Sequence, residues 1–308
     1  CTAVRQALDS RRELLAAVTA RAAPGPLDGI EAIARRARRD EFGPFDGMAS
    51  SPAAQARLAA RFGDDRLWSP SQLETYASCP FKFFATGVLG LQAPPTLELV
   101  SDVRCRGSLL HDALATLYEQ LAAEPLPAAD DDALLPALAE RFKRAVAAVM
   151  QSRPARGLEA ALREIERRQI DAWAELFAQQ HADYQRTWAA LDLPPQPTHF
   201  EARFGSPRRA GDAAAGRAPT VDAPLELPVV VDGQAATARF TGQIDRIDVG
   251  RVGDLTVFTV IDYKTSARAA VKPDEIRAGR QLQLVLYALA VAELNLAGPG
   301  AVPLSAGY

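Results

Sequence analysis

The spacing of hydrophobic positions changes along the chain from a helical period to a strand-like period near residue 197. Before that point, apolar residues recur every three or four positions, as on the buried face of a helix. The predicted helices cover residues 1–22, 30–40, 52–62, 107–121, 131–151 and 156–191. Ser69 and Pro70 form an N-cap and first-turn signal for a further helix. Pro80 interrupts that helix, and the prolines of 194–197 end the helical half.

An alternating pattern then predicts strands, so a helical half precedes an α/β half. Residues 198–205 form the first strand, and 206–224 have the composition of a low-complexity loop. Asp232-Gly233 is a strong turn signal between two apolar segments, which predicts a hairpin of 225–231 with 235–249. The remaining predicted elements are a buried strand at 255–265, a helix at 273–295 and a last strand near 301–308.

Composition narrows the possible functions. A hydrophobic fraction of 48% in 308 residues can form a core, and 35 basic against 38 acidic residues give a net charge of −3. That charge excludes bulk electrostatic binding to nucleic acid, so any basic site must be local. The arginines at 35, 36, 38 and 39 indicate a solvated face in preference to a phosphate-binding patch. No apolar run is long enough for a membrane span.

The two ends of the chain and its cysteines indicate the cellular context that we expect for the protein. The chain begins with Cys1 and ends at Tyr308 after a turn-like stretch, so we expect it to be a piece of a longer protein. No secretory signal is visible, and three cysteines form no disulfide framework. We therefore expect a reducing, cytoplasmic environment. Only four lysines stand beside 31 arginines (35 − 4), which makes each lysine worth inspecting.

Asp245, Asp262 and Lys264 form the main candidate site. We expect Asp245 to end one strand and Asp262 to lie near the end of the next, with Lys264 on the same face as Asp262 and Tyr263 opposite. Two carboxylates beside an ammonium suit a hard divalent cation, Mg²⁺ or Mn²⁺, that activates a phosphodiester for hydrolysis. A single D-x-K is more often a surface ion pair; the preceding apolar run, the G-x-I-D segment and the scarcity of lysine favour a site.

These motifs resemble a known family in combination. G-Q-I-D-R-I-D, V-I-D-Y-K-T and Q-L-V-L-Y, with S-P-S-Q-L-E-T-Y-A-S-C-P-F-K-F-F and G-S-L-L-H upstream, are similar to the RecB-like branch of the PD-(D/E)XK nuclease superfamily. Within it they most resemble the C-terminal nuclease domain of AddB-type helicase–nuclease subunits. The resemblance implies an α/β fold: a restriction-endonuclease-like core with a mixed central sheet of four or five strands flanked by helices. It covers residues 67–308, including a helical insertion at 128–192, and leaves 1–66 as the helical tail of a preceding region.

The resemblance also assigns roles. It implies that His111, Asp245, Asp262 and the backbone carbonyl of Tyr263 bind the metal and that Lys264 is catalytic. Glu201 resembles an acidic residue that supports the metal, although one glutamate in a strand is a weak signal.

Three further residues are expected to contact DNA. Gln283 and Tyr287 share one helix face and resemble a motif that holds the DNA backbone. Packing of an amphipathic tyrosine stays open as the alternative for Tyr287. Arg280, near the same helix, could contact phosphate.

Cys79 matches the position of an iron–sulfur ligand in relatives. No cysteine follows Cys105, so a four-cysteine [4Fe–4S] cluster cannot be built within this chain. Either the other ligands lie beyond Tyr308, or the cluster is lost and Cys79 is a buried thiol; we favour the second.

The resemblance therefore predicts a Mg²⁺-dependent deoxyribonuclease, an exonuclease in preference to an endonuclease, within a helicase–nuclease of double-strand break repair or recombination. Its partners would be DNA, single-stranded in preference, and a helicase region or a separate helicase chain. The alternatives are a catalytically silent DNA-binding module and a scaffold that docks a helicase.

Overall fold

The computed structural model describes residues 29–34, 51–63, 65–92, 103–124, 126, 133–152, 156–206, 220–264 and 271–308. The predicted helix 1–22, the arginines at 35–39 and most of the predicted loop 206–224 lie outside the described residues. The chain divides into two compact units, Cys1–Arg66 and Leu67–Tyr308. In the first unit, residues 29–34 are helical and helix α1 (Pro52–Phe62) begins with Ser51, whose hydroxyl accepts from the Ala54 N–H.

The helices of the second unit follow the predicted order. They are α2 (Pro70–Ser78), the short α3 (Pro80–Phe83) with a π-helical turn at Phe84–Val88, α4 (Val103–Ala123), α5 (Leu134–Gln151), α6 (Leu158–Asp171), α7 (Ala174–Trp188), the short α8 (Pro273–Arg277) and α9 (Gln283–Glu293). Helix α2 starts with the expected Ser69 cap, which Gln72 completes as a capping box. Among the described residues, no helix is long and apolar enough to cross a membrane.

The strands of the described residues form two mixed sheets. The five-stranded sheet has the order β3 (Thr220–Val221), β2 (Leu193–Phe204), β6 (Gly242–Val252), β7 (Leu255–Ile261) and β8 (Val302–Gly307). The three-stranded sheet has the order β1 (Leu67–Trp68), β5 (Gln234–Phe240) and β4 (Leu225–Val231). In the larger sheet β2, β6 and β7 are antiparallel neighbours, whereas β8 runs parallel to β7.

Helices cover both faces of the five-stranded sheet. On one face, Phe200 and Tyr263 join a core cluster built from α4, α5 and α7. On the other, Ile244, Phe258 and Val260 pack with residues of α9. A strand that carries side chains into two helical layers is buried on both sides, which explains the nearly continuous apolar run of β7. The predicted α/β fold with a mixed central sheet flanked by helices is confirmed.

The start of β2 differs from the prediction. Residues 194–197 were expected to end the helices, but β2 already begins at Leu193 and includes Pro194, Pro195 and Pro197. There β2 pairs with β6 on one side, whereas β3 meets it only at Arg203 and Phe204. Register shifts interrupt the β6 pairing around these prolines. An edge with bulges tolerates residues that have no N–H to donate.

The strand predicted across 235–249 is two strands in different sheets. It breaks at Thr241, whose N–H donates to the Trp68 carbonyl at 2.9 Å and whose hydroxyl donates to the Phe204 carbonyl at 2.8 Å. The Asp232-Gly233 hairpin therefore joins β4 to β5 in the small sheet, and β6 begins afresh at Gly242.

The predicted helix 156–191 is also divided, at Ala172 and Trp173. Both helices pack on α5, and α7 also reaches the sheet, where Tyr184 bonds to Asp248 and Thr259. No proline or glycine marks the break in the sequence.

Candidate metal centre

Asp245 and Asp262 meet where β6 and β7 lie side by side. Arg246 is opposite Ile261 in this antiparallel pair, so the adjoining positions bring Asp245 next to Asp262. The Tyr263 N–H donates to Asp245 Oδ2 at 2.7 Å and fixes that carboxylate. Asp262 was expected within its strand, near the end, and directly follows β7. The expectation that Asp245 ends its strand was wrong: β6 continues to Val252. The strand stays paired there on both sides, with β2 and β7.

His111 approaches these acids from helix α4. Its Nδ1 lies 3.4 Å from Asp245 Oδ1 and 3.4 Å from Glu201 Oε1. Burial works to lower the pKa of His111, but the carboxylates of Asp245 and Glu201 outweigh it and raise the pKa to about 10. The imidazole thus occupies a strongly negative environment, as expected for a place that attracts a cation.

Glu201 is placed by an unusual backbone. It has φ 53, in the left-handed region that side chains seldom adopt. Phe200 belongs to the core cluster of α4, whereas Ala202 and Phe204 belong to that of α9, although regular alternation would give all three one face. The Gln243 amide donates to Glu201 Oε2. The other oxygen is left facing His111.

Asp262 is held by two side chains. Its side chain is 2% exposed; Oδ2 forms an ion pair with the Lys264 ammonium, and Oδ1 accepts from Gln283 Nε2 at 2.7 Å. Burial, followed by the neighbouring Asp245, raises the pKa of Asp262 to about 6, against the opposing effect of Lys264. The predicted contact between Asp262 and Lys264 is present. Tyr263 points to the helical layer, where its ring meets His111 edge-on at 5.7 Å.

The donor set fits a divalent metal. Within the described ranges, the metal-type ligand atoms of His111, Glu201 and Asp245 all lie within 4.8 Å of one another. One imidazole and two carboxylates suit Mg²⁺ or Mn²⁺, with Mn²⁺ the more tolerant of nitrogen. Asp262 is not part of this set, and its oxygens face Lys264 and Gln283. Glu201, the weakest of the candidates in the sequence, is one of the three residues of the set.

The three predicted DNA-contacting residues have different surroundings. The Gln283 amide faces Asp262, so this residue belongs to the centre itself. Tyr287 is buried, and its hydroxyl accepts from Gln283 at 3.3 Å; this is the packing position that the sequence left open. Arg280 is bound through two hydrogen bonds to Glu275, at 2.7 and 2.9 Å.

Close packing explains why the G-x-I-D segment begins with a glycine, Gly242. A Cβ on Gly242 would lie 2.8 Å from the Tyr287 ring and 2.9 Å from the Phe204 ring. The two rings pack edge to face over this backbone. Gly242 is thus required by close packing beside the site.

Cys79 is exposed, so the expectation of a buried thiol was wrong. It lies between α2 and α3, where Pro80 starts a new helix and leaves little cover. Its Sγ accepts from the Lys82 N–H at 3.4 Å and so caps α3.

Several residues around the centre were missed by the sequence reasoning. Glu74 accepts from the backbone at the start of α9, 208 residues further along the chain. Arg246 and Asp248 form a buried ion pair, and Arg246 donates to the Tyr118 hydroxyl and lies 4.3 Å above the Tyr118 ring. Tyr118 also contacts His181 Nδ1, at 3.2 Å. Arg246 and Asp248 are two positions apart in one strand and therefore share a face, which is the local signal for this pair.

The chain is similar in sequence to known proteins. The sequence model of the PD-(D/E)XK nuclease superfamily matches residues 67–308. The chain is also similar to curated proteins that are named as the B-type subunits of ATP-dependent helicase/deoxyribonucleases. That of Limosilactobacillus fermentum is 28% identical over 238 residues, covering 75% of this chain and 18% of the relative. That of Acetivibrio thermocellus is 23% identical over 244 residues, covering 77% and 19%. The chain thus spans about a fifth of the length of these relatives.

Proposed function

Since the chain belongs to the PD-(D/E)XK nuclease superfamily, we propose that residues 67–308 hydrolyse phosphodiester bonds in DNA with the help of Mg²⁺ or Mn²⁺. The observation that carries the proposal is the convergence of His111, Glu201 and Asp245 beside the ion pair of Asp262 with Lys264. It is formed by residues of α4 and of the neighbouring strands β2 and β6, together with the segment that directly follows β7.

The residues of the chain have separable tasks in this proposal. His111, Glu201 and Asp245 would hold the metal, with Asp262 and the Tyr263 carbonyl as the remaining candidates. When bound, such a cation polarises the phosphate and favours ionisation of the attacking water. Lys264 would stabilise negative charge on the phosphate in the transition state, because its ammonium is already held at the centre by Asp262. Gln283 orients Asp262 through its amide.

The wider assignment follows from the relatives. Their names include both a helicase and a deoxyribonuclease. We therefore propose that this chain is the nuclease module of a helicase–nuclease, that it acts on the strand which a helicase region or partner separates, and that it trims ends as an exonuclease in recombination or repair. We also propose a cytoplasmic location for this module. Residues 1–66 would then belong to the preceding region of the longer protein.

Cleavage of end-labelled DNA by the full 308-residue chain tests the proposal. We expect degradation of linear single-stranded DNA with Mg²⁺ or Mn²⁺ and none with EDTA. Circular single-stranded DNA should survive if the activity is exonucleolytic. Asp245→Asn should abolish cleavage, because it removes a charge that faces His111. Asp183→Asn, on the exposed face of α7, is the matched control and should cut at the wild-type rate.

Metal-independent DNA binding without any cleavage would contradict the nuclease and favour the silent binding module. Equal cleavage by wild type and Asp245→Asn would show that the activity arises elsewhere.

A further inference from the structure

Glu74 connects two segments that are far apart in sequence. It lies on α2, and its Oε1 accepts from the N–H groups of Leu282 and Gln283 at 2.7 and 3.0 Å. These groups form the start of α9, the helix that brings Gln283 to the metal centre. The carboxylate of one helix therefore caps the beginning of another.

Helix α9 has no cap of its own. Leu282 precedes it with helical angles and no side-chain hydrogen bond, and its first turn contains no acidic residue. A helix start leaves N–H groups without partners inside the helix and carries partial positive charge. The Glu74 carboxylate satisfies two N–H groups in this region and places a negative charge there.

The capped residue is also the one that reaches the centre. Gln283 is the first residue of α9, and its amide donates to Asp262 Oδ1 at 2.7 Å. Its backbone N–H and its side chain thus bind Glu74 on one side and Asp262 on the other. A shift of the start of α9 by about one ångström would stretch the Gln283–Asp262 bond beyond hydrogen-bonding distance.

Helix α2 also lies close to the turn that precedes α9. A Cβ on Gly279, which has φ 74, would lie 3.2 Å from Ala77 Cβ. Ala77 follows Glu74 on the same helix, so α2 also touches the turn between α8 and α9. The position of α2 and the path of the chain into Gln283 are therefore coupled.

From these contacts we infer that Glu74 is a positioning residue of the metal centre. It fixes the start of α9 so that Gln283 holds the Asp262 carboxylate beside Lys264. The inference rests on the proposed function for its effect on rate, whereas its structural part does not depend on activity. Loss of a residue that orients a metal-site group commonly reduces metal affinity or activity by about 10–100-fold.

Three variants in the full chain separate positioning from general loosening. Glu74→Ala removes the cap. Glu74→Gln keeps an acceptor oxygen at the same reach and should recover part of the loss. Gln72→Ala is the matched control, because Gln72 completes the capping box of α2 itself and has no bond to α9.

Two readouts are needed. In amide hydrogen exchange, Glu74→Ala should lose protection in the peptide that starts α9, whereas Gln72→Ala should keep it. In Mn²⁺-dependent cleavage, Glu74→Ala should lower kcat about 10–100-fold with little change in the KM for DNA. Glu74→Gln should lie between Glu74→Ala and wild type, and Gln72→Ala should resemble wild type.

Either of two results would overturn the inference: wild-type protection of α9 in Glu74→Ala, or equal losses of kcat in Glu74→Ala and Gln72→Ala. If wild type itself fails to cut DNA, the proposed function fails, and the exchange measurement still decides whether Glu74 holds α9. If Glu74→Ala does not fold, we compare Glu74→Gln with Gln72→Ala. In that case, wild-type hydrogen exchange and a wild-type kcat in Glu74→Gln would contradict the role of the carboxylate.

Discussion

Lys264 is one of four lysines in the chain, and its ammonium faces a carboxylate that is buried. Lys264→Ala should lower DNA cleavage by about 10²–10³-fold, the usual effect of losing one preorganised electrostatic group. Lys264→Arg should restore little, because a planar guanidinium does not fit where a compact ammonium sits. Cleavage rates of the purified variants in Mn²⁺ measure both effects.

Lys143→Ala is the control for this prediction, since Lys143 lies on the surface of α5 and pairs with Glu140 of the same helix. Its rate and melting temperature should match wild type. Cleavage at the wild-type rate by Lys264→Ala would show that the contact between Asp262 and Lys264 is an ion pair without a catalytic role.

Two glycines near the centre should respond in opposite ways to alanine. Gly242→Ala should destabilise the fold by about 1–3 kcal/mol, because the added methyl meets the rings of Tyr287 and Phe204. Gly107→Ala should stabilise α4 by up to about 1 kcal/mol, since nothing among the described atoms lies within 4 Å of the added Cβ. Urea unfolding curves measure both changes; destabilisation by both would show that the space beside Gly107 is filled.

At the scale of elements, a buried polar network joins α4 and α7 to β6. Arg246 on β6 donates to the Tyr118 hydroxyl of α4, and that hydroxyl meets His181 Nδ1 of α7. With the hydroxyl accepting from Arg246, its own proton is available for His181, so Nδ1 acts as the acceptor. Burial, followed by the charge of Arg246, lowers the pKa of His181 to about 4.

The network therefore predicts a loss of stability in mild acid. His181 stays neutral in the folded chain down to about pH 4, whereas in the unfolded chain it gains a proton below about pH 6.5. Its contribution to stability is therefore complete above pH 6.5 and is lost as the pH falls towards 4. Between pH 7 and pH 5 the free energy of unfolding should fall by about 2 kcal/mol from this group. Denaturant unfolding of wild type and His181→Asn at both pH values isolates it. Equal falls in the two proteins would remove His181 as the cause.

Elements differ in how far their sequence predicts them. The apolar run before Asp262 and the Asp-Gly turn act over a few positions, so β7 and the turn of the β4–β5 hairpin were predicted. The break at Thr241 depends on Trp68, and the capping of α9 depends on Glu74, more than 200 residues from α9. Contacts of this kind leave no local pattern. The left-handed backbone conformation at Glu201 likewise could not be predicted, because no glycine stands at this position.

For the whole molecule, a net charge of −3 means that DNA must be bound by local groups. Arg280 is a proposed contact, but it is already bound by Glu275. We expect Glu275→Gln to strengthen binding of single-stranded DNA by releasing Arg280. Arg280→Gln should reduce the slope of log Kd against log salt by roughly 0.7, the value for one phosphate contact on a single strand. Titrations at several salt concentrations measure both; unchanged slopes and affinities would exclude Arg280 as a phosphate contact.

The metal centre carries the proposed nuclease activity, and it joins residues of a helix, two strands and the segment that follows a third strand. Anomalous diffraction from crystals of the full chain soaked in Mn²⁺ tests it most directly. We expect one strong peak within about 2.0–2.6 Å of His111 and Asp245, with Glu201 or Asp262 completing the protein ligands. A peak bound elsewhere, or none near His111 and Asp245 at saturating Mn²⁺, would contradict a metal-dependent nuclease at this site.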